Sequence, residues 1–180
     1  MLSHPQRSQL LRIARQSIEA VLHRLELDLS AIVDSELHRP AGAFVTLHTA
    51  EGDLRGCIGT IQPVAPLVHA VASNAVNAAF RDPRFEPLAT HELERIRIEI
   101  SVMSPIVEVA DVEEIIVGRD GLIISQHGRA GLLLPQVAAE YGWDRETFLQ
   151  QTCRKAGLPL ETWREESCRI ERFSAEVFGE

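Results

Sequence analysis

The sequence predicts a mixed α/β (α+β) domain in which a β-sheet is flanked by helices, and three features carry that prediction. Apolar residues recur at steps of three and four over residues 5–27 and 67–81, which is the period of an amphipathic helix. RIRIEISVMS alternates strictly, so that Ile96, Ile98, Ile100 and Val102 share one face of a strand. Further β-rich runs interleave with the helices, without a linker or an internal repeat. We therefore expect a single domain over residues 1–180.

The remaining elements each have a local signal. AGAFVTLHT and LRGCIG, separated by AEGD, are typical of a β-hairpin with a glycine-containing loop. IIVGRDGLIIS predicts two apolar strands around a Gly-Arg-Asp-Gly turn, and QHGRAG joins the second of them to LLL. Pro135 begins a short helix, Asp144 caps another that ends at Gly157, and RIERFSAEVF is the last strand. Since Pro83 disfavours helical geometry at Asp82, the helix from residue 67 should end there.

Composition and charge exclude several classes of protein. Apolar residues make up 45% of the 180 residues and charged residues 24%, as in ordinary globular proteins. The net charge of −8, with no basic run among aromatic residues, disfavours binding to nucleic acid or to an anionic membrane. No segment is typical of a signal peptide or a membrane span. We expect a cytoplasmic protein.

The three cysteines, Cys57, Cys153 and Cys168, are widely spaced and form no C-x-x-C pair. That pattern fits neither a disulfide framework nor a zinc site, and it favours a reducing compartment. The seven histidines show no helical i, i+4 ligand spacing either. We expect no metal and no cofactor.

The predicted hairpin divides its side chains between two faces. If residues 50–53 form the loop, Thr46 lies opposite Cys57 and His48 lies opposite Arg55. One face should belong to the core and the other to a candidate site, and a shift of one residue in register would exchange them. The predicted core face holds Val45, Leu47, Leu54 and Ile58, and the predicted site face holds Phe44, Thr46, His48, Arg55 and Cys57.

Two interpretations of Cys57 follow from this arrangement. Arg55 can stabilise a thiolate two residues away, and His48 can act as a base or as a second cation. The glycines Gly56 and Gly59 leave room for a ligand, for a neighbouring backbone or for a bulge. In the alternative interpretation Cys57 is a small apolar residue in a crowded place, which is the commoner role of a free cysteine.

Asp82 and Arg84 stand on either side of a rigid proline in RDPRF. This geometry can aim a carboxylate and a guanidinium at a shared ligand. The simpler alternative is a helix-ending turn held by an ion pair. Glu99 lies on the polar face of the alternating strand, where exposure alone explains a carboxylate.

The segments GAFVTLHTAEGDLRGCIGT, DPRF, IRIEISVMSP, DGLII, GLLLPQVAAEYGW and CRKAGL together resemble the AMMECR domain family, the A component of the AmmeMemoRadiSam set. The resemblance implies one α/β domain with a larger and a smaller lobe around a mixed sheet, and a cleft near LRGCIG. It implies no reaction. It marks Arg55, Gly56, Cys57 and Gly59 in one segment, Asp82, Pro83, Arg84 and Phe85 in another, and Pro135. At the position of His48, similar chains often carry other residues, which leaves Arg55 as the better partner for the thiol.

Two functional hypotheses follow, and they belong to different classes. In the first, the chain is an enzyme or enzyme component in which Cys57 is a nucleophile or acceptor, Arg55 stabilises the thiolate or binds an anion, and Asp82 and Arg84 position a small-molecule or macromolecular substrate. The remaining candidate residues would line the substrate site: Gly56, Gly59, His48 and Glu99. In the second, the chain is a non-catalytic binding or scaffold module with LRGCIG as a packing motif. The resemblance implies Memo-like and radical SAM proteins as partners in either case.

Overall fold

A computed structural model describes every residue, Met1–Glu180, as two compact units. The first and larger unit contains Met1–Met103 together with Glu176–Glu180. The second unit contains Ser104–Ala175. The described strand pairs are antiparallel, so the α+β class is confirmed, with antiparallel pairing where the resemblance implied a mixed sheet.

Both predicted helices of the first unit are present. Helix α1 spans His4–His23, with Ser3 and Gln6 forming a capping box at its start. It ends before residue 27 because Arg24 adopts a left-handed conformation with φ 56°. Helix α2 spans Leu67–Phe80, and the chain leaves it just before Asp82 as the proline rule predicts.

Three strands of the first unit pair in succession, and the end of the C-terminal strand lies beside the third of them. Strand β1 (Ala43–His48) lies between β2 (Leu54–Thr60) and β3 (Arg97–Met103), and it pairs with both in antiparallel register. The alternation predicted for β3 is confirmed, since its inward-facing residues are all buried. The helices contact this sheet, and β1, β3, α1 and α2 bury one continuous apolar cluster.

The hairpin contains a bulge, which is one of the three uses that the sequence left open for its glycines. Thr46 lies opposite Cys57 as predicted, but the register shifts between Leu47 and His48. His48 therefore lies opposite Leu54 rather than Arg55, and the expected His48–Arg55 pair is wrong. Because the bulge adds one residue to β2, Leu54 is turned outward and is 41% exposed instead of joining the core.

The second unit is built around a hairpin and two helices. Strand β5 (Asp120–Gln126) pairs with β6 (Arg129–Leu133), and β5 also pairs with β7 (Arg169–Gly179), which in turn pairs with the short β4 (Val107–Glu108). The turn between β5 and β6 is tight because both of its residues, His127 and Gly128, have positive φ. Helices α3 (Pro135–Glu140) and α4 (Arg145–Lys155) begin and end close to the predicted residues.

One predicted strand is absent from the second unit. Residues 115–117, the first half of IIVGRDGLIIS, form no strand. Ile115 enters the apolar core, and the backbone N–H of Ile116 donates to the carboxylate of Asp120 at 2.9 Å. The Asp120 carboxylate thus accepts the hydrogen bond from the Ile116 N–H that a carbonyl oxygen of a partner strand would otherwise accept. A run of three apolar residues does not distinguish these two arrangements.

Strand β7 runs from the second unit into the first, because the boundary between the units falls after Ala175. Its first residues pair with β4 and β5 in the second unit. Its last residues belong to the first unit, where the N–H of Glu180 donates to the carbonyl oxygen of Ile98 at 3.1 Å. The guanidinium of Arg15 on α1 also binds the Glu180 carboxylate, which fixes the end of the chain.

None of the four helices combines the length and the apolar character that a membrane crossing requires.

Candidate functional site

The backbone of Cys57 is bound from outside the hairpin by two side chains of the DPRF turn. Its N–H donates to Oδ2 of Asp82 at 2.9 Å, and its carbonyl oxygen accepts from Nη2 of Arg84 at 3.3 Å. These groups lie at the outer edge of the three-stranded sheet, where β2 has no neighbouring strand. An ion pair therefore replaces the missing strand at this one residue.

Asp82 is the best-connected carboxylate of the site, and only 1% of its side chain is exposed. Besides the Cys57 N–H, it accepts from Nε of Arg84 at 3.0 Å, from Nη2 at 2.7 Å and from the Arg84 backbone N–H at 3.1 Å. The Arg84 side chain lowers the pKa of Asp82 far below its usual range, against the opposing effect of burial. Asp82 is consequently a fixed negative charge and not a proton-transfer group at neutral pH.

The thiol of Cys57 takes no part in that edge contact. Its side chain is on the opposite face of the sheet from the core, where the Thr46 hydroxyl of β1 donates to the sulfur at 3.2 Å. Cys57 is a free thiol, and the residue is partly exposed. The Cys57 sulfur is therefore positioned by a hydrogen bond within the sheet and not by the DPRF turn.

Arg84 is the guanidinium that binds the main chain of Cys57. Its pKa is raised chiefly by the hydrogen bonds to Asp82, with smaller contributions from the charges of Asp82 and of ionised Cys57. Its side chain is 54% exposed, so it also reaches solvent. The sequence separated Arg84 from Cys57 by 27 positions and gave no sign of this contact.

Arg55 contacts a different carboxylate. Its Nε and Nη2 bind the two oxygens of Glu92 at 2.8 and 3.1 Å, and Nη2 also donates to the Glu86 carbonyl oxygen at 3.0 Å. The guanidinium lies 5.9 Å from the centre of the Phe85 ring, and its side chain is only 13% exposed. Hydrogen bonding from Arg55 lowers the pKa of Glu92, against burial. Arg55 thus holds the segment that follows DPRF onto β2.

The two glycines are required by contacts within the chain. A Cβ on Gly56 would lie 2.2 Å from the Ala78 carbonyl oxygen of α2. A Cβ on Gly59 would lie 2.3 Å from the Ala43 carbonyl oxygen of β1. Of the three uses open for these glycines, the structure contains close approach of the backbone at both positions and a bulge beside Gly56.

Comparison with known proteins places the whole chain, including the segments that form this site. A sequence model described as AMMECR1 matches residues 11–178, which is nearly the whole chain. This protein belongs to the AMMECR1 family.

Members of the AMMECR1 family from archaea resemble the chain over most of its length. A protein of Aeropyrum pernix is 47% identical over 180 residues, covering 95% of this chain and 77% of its own. A protein of Pyrococcus furiosus is 44% identical, covering 95% and 86%. A crystal structure of an uncharacterized protein from Pyrococcus horikoshii, PH0010, superposes with a TM-score of 0.77 at 41% identity, covering 96% of this chain and 90% of that one.

Two further candidate residues of this AMMECR1 chain lie beside the thiol on the same sheet face. Glu99 of β3 is directly opposite Thr46, so that Cys57, Thr46 and Glu99 form a row across the three strands. His48 is two residues from Thr46 on β1, opposite Leu54 and Arg97. Neither side chain forms a hydrogen bond with Cys57. The structure therefore unites Cys57, Asp82 and Arg84 in direct contact and places His48 and Glu99 at the periphery.

The sequence analysis missed two members of this site, Thr46 as a donor and Glu92 as the partner of Arg55. Thr46 was placed opposite Cys57 by the hairpin register, so its role was within reach of the sequence. Glu92 lies 37 positions from Arg55 and sits in a short 3-10 helix, Thr90–Glu92. No local pattern links the two. No group of three or more His, Cys, Asp or Glu side chains is arranged to hold a metal ion.

Proposed function

We propose that this protein is an enzyme, or a component of one, in which the Cys57 thiol is the reacting group. The single observation that carries the proposal is that the fold uses the backbone of Cys57 but leaves its thiol free. The N–H and C=O are bound by Asp82 and Arg84, while the sulfur faces away from the core and accepts a hydrogen bond from Thr46.

The roles of the basic residues in the proposal follow their contacts. Arg84 is the cation bound to the main chain of Cys57, and its exposed side chain is available to an anionic substrate group. Asp82 holds Arg84 and the Cys57 backbone in place, and Arg55 supports the turn through Glu92. His48 and Glu99 border the face on which a substrate would lie.

The reaction class is transfer of an acyl or alkyl group to sulfur. The S–H bond of Cys57 breaks, an S–C bond forms to the electrophilic carbon, and the bond from that carbon to its leaving group breaks. The proton of the thiol passes to solvent or to the leaving group, so that no oxidant or reductant is needed. As the family resemblance implies, we propose Memo-like and radical SAM proteins as the sources or recipients of the transferred group.

A non-catalytic binding module is the second candidate, and a specific observation favours it. Most of the LRGCIG and DPRF segments has a structural use: Gly56 and Gly59 permit close packing, Arg55 pairs with Glu92, and Asp82 with Arg84 covers the strand edge. In this account Cys57 is a small residue at a crowded edge. The protein would then act by docking on its partners.

Substitution of the thiol separates the two candidates. The chain is combined with Memo-like and radical SAM proteins from one organism, and mass spectrometry follows any covalent adduct on Cys57. The proposed function predicts an adduct on the wild type and on Cys168→Ser, with none on Cys57→Ser. Binding to these partners without any adduct, equal in all three chains, supports the docking module and contradicts the thiol chemistry.

A further inference from the structure

The second unit contains a cleft with a volume of about 330 Å³, which we call the α4 cleft. Its wall is formed by one residue of β6, one residue that follows α3, and three residues of α4: Leu133, Trp143, Gln151, Arg154 and Lys155. A volume of a few hundred Å³ is at the lower end of the range for small-molecule sites. The cleft lies wholly within the second unit, and it shares no residue with the Cys57 site.

The charge of the α4 cleft is opposite to that of the chain. Arg154 and Lys155 bring two positive charges to one wall of a protein whose net charge is −8, and Lys155 is its only lysine. Neither side chain forms an ion pair or a hydrogen bond. By contrast, Arg145 and Arg164 of the same unit are paired with Glu113 and with Glu146 and Glu161. Two unpaired cations beside a cleft attract an anion.

Besides the two cations, the α4 cleft contains an aromatic surface for an apolar or flat group, which is the ring of Trp143. Its ring is stacked on Tyr141 with 5.1 Å between the ring centres and 16° between their planes. Such stacking restrains the indole, and an indole face binds planar groups well. Leu133 adds an aliphatic contact, and Gln151 adds an amide that both donates and accepts hydrogen bonds.

We propose that the α4 cleft binds a small organic anion made of a flat ring that carries a carboxylate or a phosphate. The ring lies against Trp143 and Leu133, and the anionic group binds Arg154 and Lys155 through charge-assisted hydrogen bonds. The alternative use of these cations is the stabilisation that any basic residue provides in the last turn of a helix. That alternative predicts no ligand and does not require an aromatic residue nearby.

The test uses the full chain labelled with ¹⁵N and four small probes. Phenyl phosphate and benzoate carry both the ring and the charge, phenol carries the ring alone, and inorganic phosphate carries the charge alone. The indole N–H signals of the two tryptophans report binding, and Trp143→Phe assigns them. We expect phenyl phosphate or benzoate to shift the Trp143 signal with a Kd below about 1 mM, and phenol and inorganic phosphate to bind at least about tenfold more weakly.

A charge-matched pair of variants shows whether the α4 cations are responsible. Arg154→Ala/Lys155→Ala should weaken binding by about tenfold or more, and Lys155→Ala alone provides the same comparison if the double variant is not folded. Arg12→Ala/Arg95→Ala removes the same charge from exposed positions of the first unit and should leave binding unchanged. Preference for phenyl phosphate over benzoate, or the reverse, identifies the anionic group.

Three results would overturn the proposal. The first is no shift of the Trp143 signal with either complete probe at a concentration of about 10 mM, tenfold above the expected limit. The second is equal binding by the wild type and by the folded variants of Arg154 and Lys155. The third is inorganic phosphate binding as tightly as phenyl phosphate, since the ring would then have no role.

Discussion

The carboxylate of Asp82 accepts a hydrogen bond from the main chain of Cys57, 25 residues earlier, and so joins the DPRF and LRGCIG segments directly. The bond runs to the backbone and not to the thiol. The same carboxylate is held by Arg84, which returns to the carbonyl oxygen of Cys57. The Cys57 backbone, the Asp82 carboxylate and the Arg84 guanidinium thus form a closed cycle of hydrogen bonds. The sulfur of Cys57 takes no part in this cycle.

Asp82→Asn should reduce the free energy of unfolding by about 2 kcal/mol at pH 7, because a buried carboxylate with several donors is replaced by an amide that brings donors of its own. Chemical denaturation measures this change. Asp53→Asn, in the exposed hairpin loop, removes the same charge and should change stability by less than about 0.5 kcal/mol. Equal effects of the two substitutions would contradict a special role for Asp82.

The loss of stability at low pH, measured as the free energy of unfolding against pH, should depend on Asp82. Since the folded-state pKa of Asp82 is depressed, its contribution is complete above the unfolded value of about 3.9 and is lost as the pH falls below it. Wild-type stability should therefore fall more steeply between about pH 4 and pH 2 than that of Asp82→Asn. Parallel curves for the two chains would show that Asp82 does not bind its proton more weakly when folded.

The three cysteines should react with iodoacetamide in a definite order. Burial raises the pKa of Cys153, and burial together with the charge of Cys153 raises the pKa of Cys168 to about 11. Because the thiolate is the reacting form, both should be slow in the native protein up to about pH 9, while Cys57 is modified first. Peptide mapping gives the three rates. Faster reaction of Cys168 than of Cys57 would contradict this order.

Arg84, and not Arg55, should control the reactivity of Cys57. Arg84→Gln removes the cation bound to the main chain of Cys57 and should slow alkylation of Cys57 at pH 7 by about threefold or more. Arg55→Gln leaves that cation in place, so it should lower stability through the loss of the Glu92 pair while the alkylation rate stays close to wild type. The opposite ranking of the two variants would return Arg55 to the role that the sequence suggested.

Gly56→Ala should destabilise the first unit by about 2 kcal/mol, because the new Cβ would lie 2.2 Å from a backbone oxygen of α2 that cannot move without the helix. Gly179→Ala is the matched control, since its Cβ would meet its nearest neighbour at 3.3 Å. We expect the control to change the melting temperature much less. Comparable losses in both variants would show that the β2–α2 contact is not the constraint.

Periodicity predicted the helices and the alternating strand because each depends on residues that are close in sequence. The helix from Leu67 and the inward face of β3 were both confirmed. The sequence left a hairpin bulge open but could not place it, because composition does not show which residue, here Arg55, is the extra one. The site was predictable in its members Cys57, Asp82 and Arg84, but the pairing of Arg55 with Glu92 depends on a tertiary contact that has no local signal.

The binding of Asp82 and Arg84 to the free edge of β2 also affects association between copies of the protein. An open strand edge presents free N–H and C=O groups to any other extended chain, and it is a common starting point for aggregation. At Cys57 both groups are already occupied, and the occupant is a charged pair that a foreign strand would have to displace. The DPRF turn therefore protects the protein from edge-to-edge association at Cys57, the residue whose thiol reacts in the function that we propose.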